Sequence, residues 1–457
     1  MKQENHATKS QTNLGITSRP RPLPVASDPS PSHSYPLQIA RILLVAALLG
    51  APVAFGGVLP IAWVALALVA SAALFLWALG SIQRGEVKFV WSPLFIPLAI
   101  LFLLGVVQYE ARLTLDVSET RQALVLLSTD LIFFFLAVQL FGAVRSSTLQ
   151  SFGMAVLIFA GCMGLFAILQ SASGAQRIYG LFETPNGTMF GPYVDRDHFA
   201  GLMEMLLPVA IFYTAGRHGR FSLEASVWRV SAIALAFASL LLSGSRGGFL
   251  ALSVEIAIAS LVLRRAAARA GQKRRLATAA AFVLVTGVAL FAYVDPGWVA
   301  KKLGSVAYVD RTWTEWTGDR KKMAGDGLRM WRDHPVLGVG LGDFETAYPR
   351  YQSFPSDLWI DHAHNDYVEA AAETGLVGAA LILAALALFF YLAFRNVTHL
   401  FGSNAGWVRL GAAIGCCGLL VHSLGDFNLH IPANAAWFAV LAGIATSERP
   451  AASVAPR

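Results

Sequence analysis

Two histidines stand in a polar run that leads directly into an apolar segment. Residues 361–378 read DHAHNDYVEAAAETGLVG, with His362 and His364 on either side of one alanine. Asp366 and Glu369 have the spacing of a capping box, which predicts that a helix begins there. His364 would then lie just outside the first turn, partly solvated, where an imidazole can exchange a proton near neutral pH. On this run alone, a loop histidine without a chemical task is an equally good interpretation.

A second candidate is an arginine between two apolar runs. Arg246 lies in SGSRGG and is followed by Gly247 and Gly248. A cation at the end of an apolar segment is costly unless it meets an anion or a cavity. The glycines would let a phosphate approach the backbone, and the N-terminus of the following helix favours an anion. Binding of phosphate is one interpretation, and snorkelling of the arginine to lipid headgroups is the other.

Arginines and aromatic residues also accumulate in the polar loops. Arg177 begins RIYGLFETPN, Arg196 and His198 lie in GPYVDRDHF, and Arg320 precedes the stretch DHPVLGVGLGDF. Guanidinium groups bind phosphate bidentately, so this set suits a sugar diphosphate, although each arginine taken singly is also an ordinary solvated loop residue. The glycines of DHPVLGVGLGDF do not predict a nucleotide loop, because the GxGxxG order and its strand setting are missing.

Four ionisable residues fall within apolar runs: Asp130, Glu204, Glu255 and His422. Such residues are functional candidates in a bilayer, but these four form no obvious proton relay, and structural hydrogen bonding is the preferred interpretation. The sequence has no HExxH motif and no clustered carboxylate pair. It therefore predicts no metal site and no cofactor.

The elements that must position these residues are membrane helices. The chain has 457 residues, of which 56% are hydrophobic and 14% charged, a composition that soluble domains do not show. The three cysteines lie inside apolar runs, which argues against a disulfide framework. Each apolar run must be a helix, because an open sheet would leave backbone groups unsatisfied in hydrocarbon. The predicted fold class is an all-α polytopic membrane protein.

Twelve apolar runs are predicted to span the membrane. They are 42–59, 61–80, 89–107, 123–144, 152–169, 199–215, 227–242, 247–263, 276–294, 370–394, 408–424 and 431–446. The predicted organisation is a disordered cytoplasmic tail (1–36), a membrane domain with helices 1–9 (37–294), a long loop (295–369), helices 10–12 (370–446) and a second cytoplasmic tail (447–457).

Basic residues predict the orientation. The loop 264–275 reads RRAAARAGQKRR and has six basic residues and no acidic one, so it should face the cytoplasm. Counting spans outward from it places both termini in the cytoplasm. The loops that carry Arg177, Arg196 and Arg246, and the long loop 295–369, then lie on the opposite side. A loop of that length is more than a connector, which points to function.

Three motifs, in order and spacing, resemble those of the O-antigen ligase and polymerase superfamily of bacterial envelopes. They are GPYVDRDHFAG, LSGSRGGFLAL, and the pair DHPVLGVGLGDF with HNDYVEAAAETGLVG. The resemblance covers roughly residues 177–383, and its motifs are specific in combination. The chain departs from the family pattern where GPYVDRDHF has aspartates in place of asparagines and between Arg320 and Trp331.

The resemblance implies a GT-C-like, metal-independent, inverting glycosyltransferase of the bacterial inner membrane that acts at the periplasmic face. Such an enzyme moves a glycan from undecaprenyl diphosphate to an acceptor hydroxyl, on the lipid A core or on a growing polysaccharide, in lipopolysaccharide or exopolysaccharide synthesis. Its partners would be these two substrates and membrane lipids, with no nucleic acid. Finished-chain ligation, polymerisation and protein glycosylation remain open.

The resemblance also carries residue roles. His364 corresponds to the family's essential histidine, Arg246 to the SRG arginine, and Arg320 more loosely to an arginine upstream of the glycine-rich stretch. His364 would be the general base. The residues expected to support substrate binding are Arg246, Arg177, Arg196, Arg320 and Glu369. Glu369 could also orient the ring of His364 or raise its basicity.

A solute transporter of the inner membrane is the alternative from another class, because twelve helices with scattered intramembrane acids are compatible with one. Transporters place their polar chemistry on broken helices near the midplane, often in repeated halves. Here the polar residues gather in external loops and no internal repeat is visible. The enzyme is therefore the preferred prediction, and a structural scaffold would explain neither Arg246 nor the histidine pair.

Overall fold

The computed structural model describes residues 34–85, 89–142, 146–174, 176–183, 188–217, 223–270, 311–356, 359–395, 400–401 and 403–447. The regular secondary structure of this part of the chain is helical apart from one two-stranded hairpin and an isolated β-bridge between Phe190 and Tyr193. Nine of its helices are long and apolar enough to cross a membrane. The predicted fold class, an all-α polytopic membrane protein, is confirmed.

Thirteen helices are present in the described residues. In chain order they are α1 (Tyr35–Val53), α2 (Pro60–Gln83), α3 (Phe95–Glu110), α4 (Val117–Phe141), α5 (Ser146–Ala172), α6 (Arg196–Gly216), α7 (Leu223–Ser243), α8 (Arg246–Ala270), α9 (Arg311–Asp333), α10 (Phe344–Ala347), α11 (Asp366–Phe394), α12 (Asn404–His422) and α13 (Pro432–Thr446). Between α5 and α6, strand β1 (Arg177–Ile178) pairs antiparallel with β2 (Phe182–Glu183).

Eleven of the predicted spans overlap one of these helices. Nine of the eleven meet the length of a span, whereas α3 and α13 are shorter apolar helices of 10–17 residues. The predicted span 276–294 lies outside the described residues. Helix α9 falls within the predicted long loop, and its polar composition separates it from the candidate spans.

Helices α6 and α12 form the centre of the bundle. In their apolar windows 83% and 94% of the residues are buried, respectively, more than in the other candidate spans. Glycines let the two backbones approach closely: a Cβ on Gly411 would lie 2.7 Å from the Pro208 carbonyl oxygen, and one on Gly415 the same distance from that of Met205. Small residues at such contacts are typical of membrane helix packing. The ends of α6 and α12 therefore have fixed relative positions.

The start of α11 differs from the predicted capping box. The cap is Asn365, whose side-chain oxygen accepts hydrogen bonds from the N–H groups of Tyr367 at 3.1 Å and Val368 at 3.0 Å. Asparagine is among the best residues at this position, and its bonds satisfy two backbone donors of the first turn. Glu369 is therefore not needed at the cap, and its buried carboxylate contacts histidines instead.

The glycine-rich stretch before α10 packs against a kink in α11. Gly375 has φ 64° and ψ −161°, which interrupts the helix. The freed carbonyl groups of Ala372 and Glu373 accept hydrogen bonds from Val339 at 3.0 Å and Gly340 at 3.1 Å. A Cβ on Gly338 would lie 2.2 Å from the backbone of Glu373. These glycines serve close backbone packing, which fixes the first half of α11.

Candidate active site

His364 stands immediately before the cap of α11 in an unusual backbone conformation. Its φ is 48°, a left-handed value that residues other than glycine seldom adopt. The chain next to it is anchored, because the N–H of Asp366 donates to the carbonyl groups of Ser423 at 3.1 Å and Asp426 at 3.3 Å. Strained residues of this kind persist where surrounding contacts over-determine them. The turn after α12 therefore determines where His364 lies.

Asp426, in that turn, is the partner of His364. Nδ1 of His364 lies 3.2 Å from Oδ1 of Asp426, and the carboxylate is 1% exposed. Burial alone raises the pKa of Asp426, but the surrounding histidines and Arg320 lower it more, so that the pKa lies well below its usual range. An ionised carboxylate only accepts hydrogen bonds, so Nδ1 carries the proton and Nε2 of the neutral ring is left as the acceptor.

Three further side chains converge on the same carboxylate. Arg320 Nη1 is 4.0 Å from Oδ1 of Asp426, and the Nε2 atoms of His198 and His422 are each 3.8 Å from Oδ2. His422 also binds Glu204, with 2.9 Å between Nδ1 and Oε1. The structural hydrogen bonding expected of Glu204 and His422 is thus present, and it links the centre of the bundle to Asp426.

Three of the arginines predicted from the sequence come together. Arg246 begins α8 within electrostatic range of Arg196 and Arg320. Arg320 reaches this place from α9 and donates to Asp197 at 3.1 Å and to the carbonyl group of Gly425. Since α6, α8 and α9 each contribute one of these arginines, the group depends on the tertiary fold. Several guanidinium groups in one place suit a polyphosphate.

Arg177 is not part of this group. It lies on β1, is 54% exposed, and forms an ion pair with Glu183 across the hairpin. The hairpin itself is held at the end of α1, where the Tyr179 hydroxyl donates to the Val53 carbonyl at 2.7 Å. The prediction that Arg177 assists Arg246 is therefore not supported by the contacts of Arg177, because its guanidinium is engaged by a neighbouring carboxylate.

The two glycines after Arg246 also have a different role from the predicted one. A Cβ on Gly247 would lie 2.3 Å from the His422 ring, and one on Gly248 would lie 3.1 Å from Glu204 Oε1. On the side where a Cβ would point, the space is thus filled by side chains, and the two glycines let α8 pack against α12 and α6. These contacts give no support to the prediction that the glycines admit a phosphate.

Glu369 contacts two histidines, and neither is His364. Its Oε1 lies 2.6 Å from Nδ1 of His362 and 3.3 Å from Nε2 of His430, and its Oε2 accepts from the N–H of Ala363 at 2.8 Å. The chain reverses at the left-handed His364, which brings the preceding residues over the first turn of α11. The prediction that Glu369 orients His364 is therefore wrong: that position belongs to Asp426.

His362 and His430 are both shifted toward their charged forms. Burial lowers the pKa of His362, but Glu369 outweighs it and the net shift is upward. Burial likewise lowers the pKa of His430, whereas Glu369 and Asp366 raise it to about 10. His362, Glu369, Asp366 and His430 therefore form a second polar cluster. Among the described residues, His362, Glu369 and His430 are a group whose donor atoms could hold a metal ion.

An aromatic ring separates the two clusters. Phe427 stacks on His362, with 4.2 Å between ring centroids and 27° between planes, and meets His364 edge-on at 4.9 Å. Asp426, Phe427 and His430 were missed in the sequence. They lie in the short stretch LGDFNLH between two apolar runs. The density of polar residues in so short a turn was the available signal, but their partners are distant in the chain.

Comparison with known proteins gives one family. Residues 231–383 match the family model described as O-antigen ligase. This segment includes Arg246, Arg320 and His364, whereas Arg196 and Asp426 lie outside it. The comparison with curated proteins gave no match.

Proposed function

We propose that this chain, in which residues 231–383 match the O-antigen ligase family model, moves a glycan from undecaprenyl diphosphate to an acceptor hydroxyl. The acceptor is the lipid A core or a growing polysaccharide. The reaction takes place at the periplasmic face of a bacterial inner membrane. The observation that carries this proposal is the His364–Asp426 pair, with 3.2 Å between Nδ1 and Oδ1, beside the group of arginines.

His364 acts as the general base. A sugar hydroxyl is a poor nucleophile at neutral pH, and a positioned base contributes about 100- to 10,000-fold in rate. Nε2 of His364 takes the hydroxyl proton while the oxygen forms a bond to the anomeric carbon, and the bond from that carbon to the diphosphate breaks. Asp426 holds the Nδ1 proton and stabilises the imidazolium. The side chain of His364 is 23% exposed, which gives an acceptor access to it.

Arg246, Arg196 and Arg320 stabilise the departing lipid diphosphate. The leaving group gains negative charge in the transition state, and fixed donors aimed at such a charge are worth roughly 2.7–4 kcal/mol each. Asp197 positions Arg320 through its hydrogen bond of 3.1 Å. Arg177 is left out of this set, because it pairs with Glu183. The chemistry assigned to these residues needs no metal ion.

The proposal is tested with purified protein in lipid nanodiscs, a lipid-linked glycan donor and both kinds of acceptor. Arg246→Lys keeps the charge but loses the planar fork, so transfer should fall. Arg332→Lys, at an arginine that is 79% exposed, is the matched control and should retain wild-type rates. EDTA should leave transfer intact. Wild-type transfer by Arg246→Lys would remove the arginine from the mechanism, and inactivation by EDTA with recovery on adding magnesium would remove the metal-free chemistry.

A further inference from the structure

We propose that His362, Glu369 and His430 bind a transition-metal ion of the zinc class. One donor atom from each of the three residues lies within 4.8 Å of the other two. Oε1 of Glu369 is 2.6 Å from Nδ1 of His362 and 3.3 Å from Nε2 of His430. The three residues come from the segment before α11, the first turn of α11, and the turn before α13. The proposal concerns a site separate from the His364–Asp426 pair and does not depend on glycan transfer.

The donor set matches the metal. Zinc takes imidazole nitrogens at about 2.0–2.1 Å and carboxylate oxygens at about 2.0–2.2 Å, and two histidines with one glutamate form known zinc sites with an open fourth position. Glu369 is 1% exposed, whereas the side chains of His362 and His430 are 24% and 32% exposed. A buried anionic ligand with two partly accessible imidazoles provides both charge neutralisation and a path for the ion.

The surroundings of the three donors match those of metal ligands once the ion has replaced the protons that the two histidines share with carboxylates. A ligating histidine commonly donates its other ring N–H to a carboxylate, which fixes the ring and its tautomer. His430 has this arrangement, with Nδ1 at 2.8 Å from Asp366 Oδ1, so its Nε2 points to Glu369. The second oxygen of Glu369 is held by the N–H of Ala363 at 2.8 Å. The ring of His362 is held by its stacking on Phe427.

The ion would join two segments that are otherwise held together by a few hydrogen bonds. His362 precedes α11, and His430 ends the turn between α12 and α13. Bridging them through Glu369 clamps this turn against the start of α11. None of the three ligands is a partner of Asp426 in the described contacts, so an ion here stabilises the frame around His364 without entering the reaction.

The test measures binding rather than transfer. The full chain is purified with an affinity tag that contains no histidine, treated with EDTA, and freed of chelator. Zn²⁺ is then titrated by calorimetry, and the protein-bound metal is counted by mass spectrometry. We expect one ion per chain at this site, a higher thermal unfolding temperature with Zn²⁺, and visible absorption bands of Co²⁺ in a low-symmetry site of four or five ligands.

Variants assign the ion to these residues. Glu369→Gln and His430→Gln should each abolish the Co²⁺ bands, and Asp366→Asn should weaken binding about 10- to 100-fold, since it removes the outer partner of a ligand. His364→Gln should bind the ion like wild type although it loses transfer, and His334→Gln, at an exposed histidine, is the surface control.

Two results would overturn the site: no stoichiometric binding to the wild-type protein, or unchanged Co²⁺ bands in both Glu369→Gln and His430→Gln. Gel filtration of each metal-free variant checks that it is folded. If a ligand variant does not fold, the wild-type titration and Asp366→Asn decide. Loss of transfer in Arg246→Lys or His364→Gln bears on the proposed function alone, and loss of Co²⁺ binding bears on this site alone.

Discussion

The chemistry proposed for His364 depends on Asp426, which lies 62 positions later in the chain. His364 itself could be chosen from the sequence, because a histidine at the boundary between a polar run and an apolar helix is visible there. Asp426 could not be paired with it, since nothing in the sequence shows that carbonyl groups of the turn after α12 accept hydrogen bonds from the N–H of Asp366 at the start of α11. Spacing in the sequence instead favours Glu369, the nearer carboxylate, as the partner of His364.

Replacing Asp426 should lower transfer over the whole range from pH 5 to pH 8. A depressed pKa means that the carboxylate keeps its charge above the ordinary aspartate value of about 4 and loses it only in stronger acid. Between pH 5 and pH 8 the wild-type charge is therefore constant, and it favours protonated imidazoles nearby. In Asp426→Asn the negative charge is absent at every pH, so transfer should fall throughout this range. The maximal rate should fall roughly 100-fold or more, because the neutral amide does not stabilise the imidazolium and its NH2 group can hold the ring in the other tautomer.

The control for this measurement is Asp333→Asn, at an aspartate that is 50% exposed; its profile should match that of the wild type. A fall in rate that is matched by a fall in the folded fraction would mean that Asp426 only supports the fold. A wild-type rate would remove it from the site.

At the scale of elements, apolar runs identify the helices well, because a span must satisfy its own backbone in hydrocarbon. They identify helix contacts poorly, because lipid and helix interior are equally apolar. The SGSRGG motif illustrates the difference. Its glycines were expected to admit a phosphate, yet the space beside them holds His422 and Glu204. A close helix crossing and an anion site require the same small residues, so sequence alone cannot separate them.

Gly247→Ala should disturb the crossing of α8 and α12. The added Cβ would lie 2.3 Å from the His422 ring, and overpacking of this kind costs about 1–3 kcal/mol. Because the same ring contacts Glu204 and approaches Asp426, transfer should fall together with the thermal unfolding temperature.

Gly325→Ala is the matched substitution for comparison. It lies in α9 and has no atom within 4 Å of the added Cβ, so it should be neutral or stabilising by about 0.4–1 kcal/mol. Equal unfolding temperatures for the two variants would show that the α8–α12 crossing tolerates a side chain at Gly247.

At the scale of the whole molecule, the site is built from residues that lie far apart in the chain, at the ends of separate helices. Arg246 and His364 fall within the matched family segment, but Arg196 on α6 and Asp426 after α12 lie outside it. The composition of the chain predicts a membrane bundle and the positions of most of its helices. It does not predict which loops meet, since that depends on which helices pack against each other.

The orientation of the bundle is tested by reporter fusions. The basic loop 264–275 should face the cytoplasm, because lysine and arginine in short loops are retained there. A fusion after Arg275 should therefore report cytoplasm, and one after Lys322, in α9, should report periplasm. The predicted span 276–294 must cross between them. If both fusions report the same side, the span 276–294 does not cross the membrane. Counting helices then does not assign the arginine group to the periplasmic side.

The most direct test of the account is the rate of glycan transfer by purified His364→Asn, measured beside His364→Ala and His362→Ala. Asparagine tolerates the left-handed backbone at φ 48° better than alanine does. The substitution His364→Asn therefore removes the base without adding backbone strain. Transfer should fall about 100- to 10,000-fold in both His364 variants, with His362→Ala milder and all three proteins inserted and folded. Wild-type transfer by folded His364→Asn would contradict the assignment of His364 as the general base.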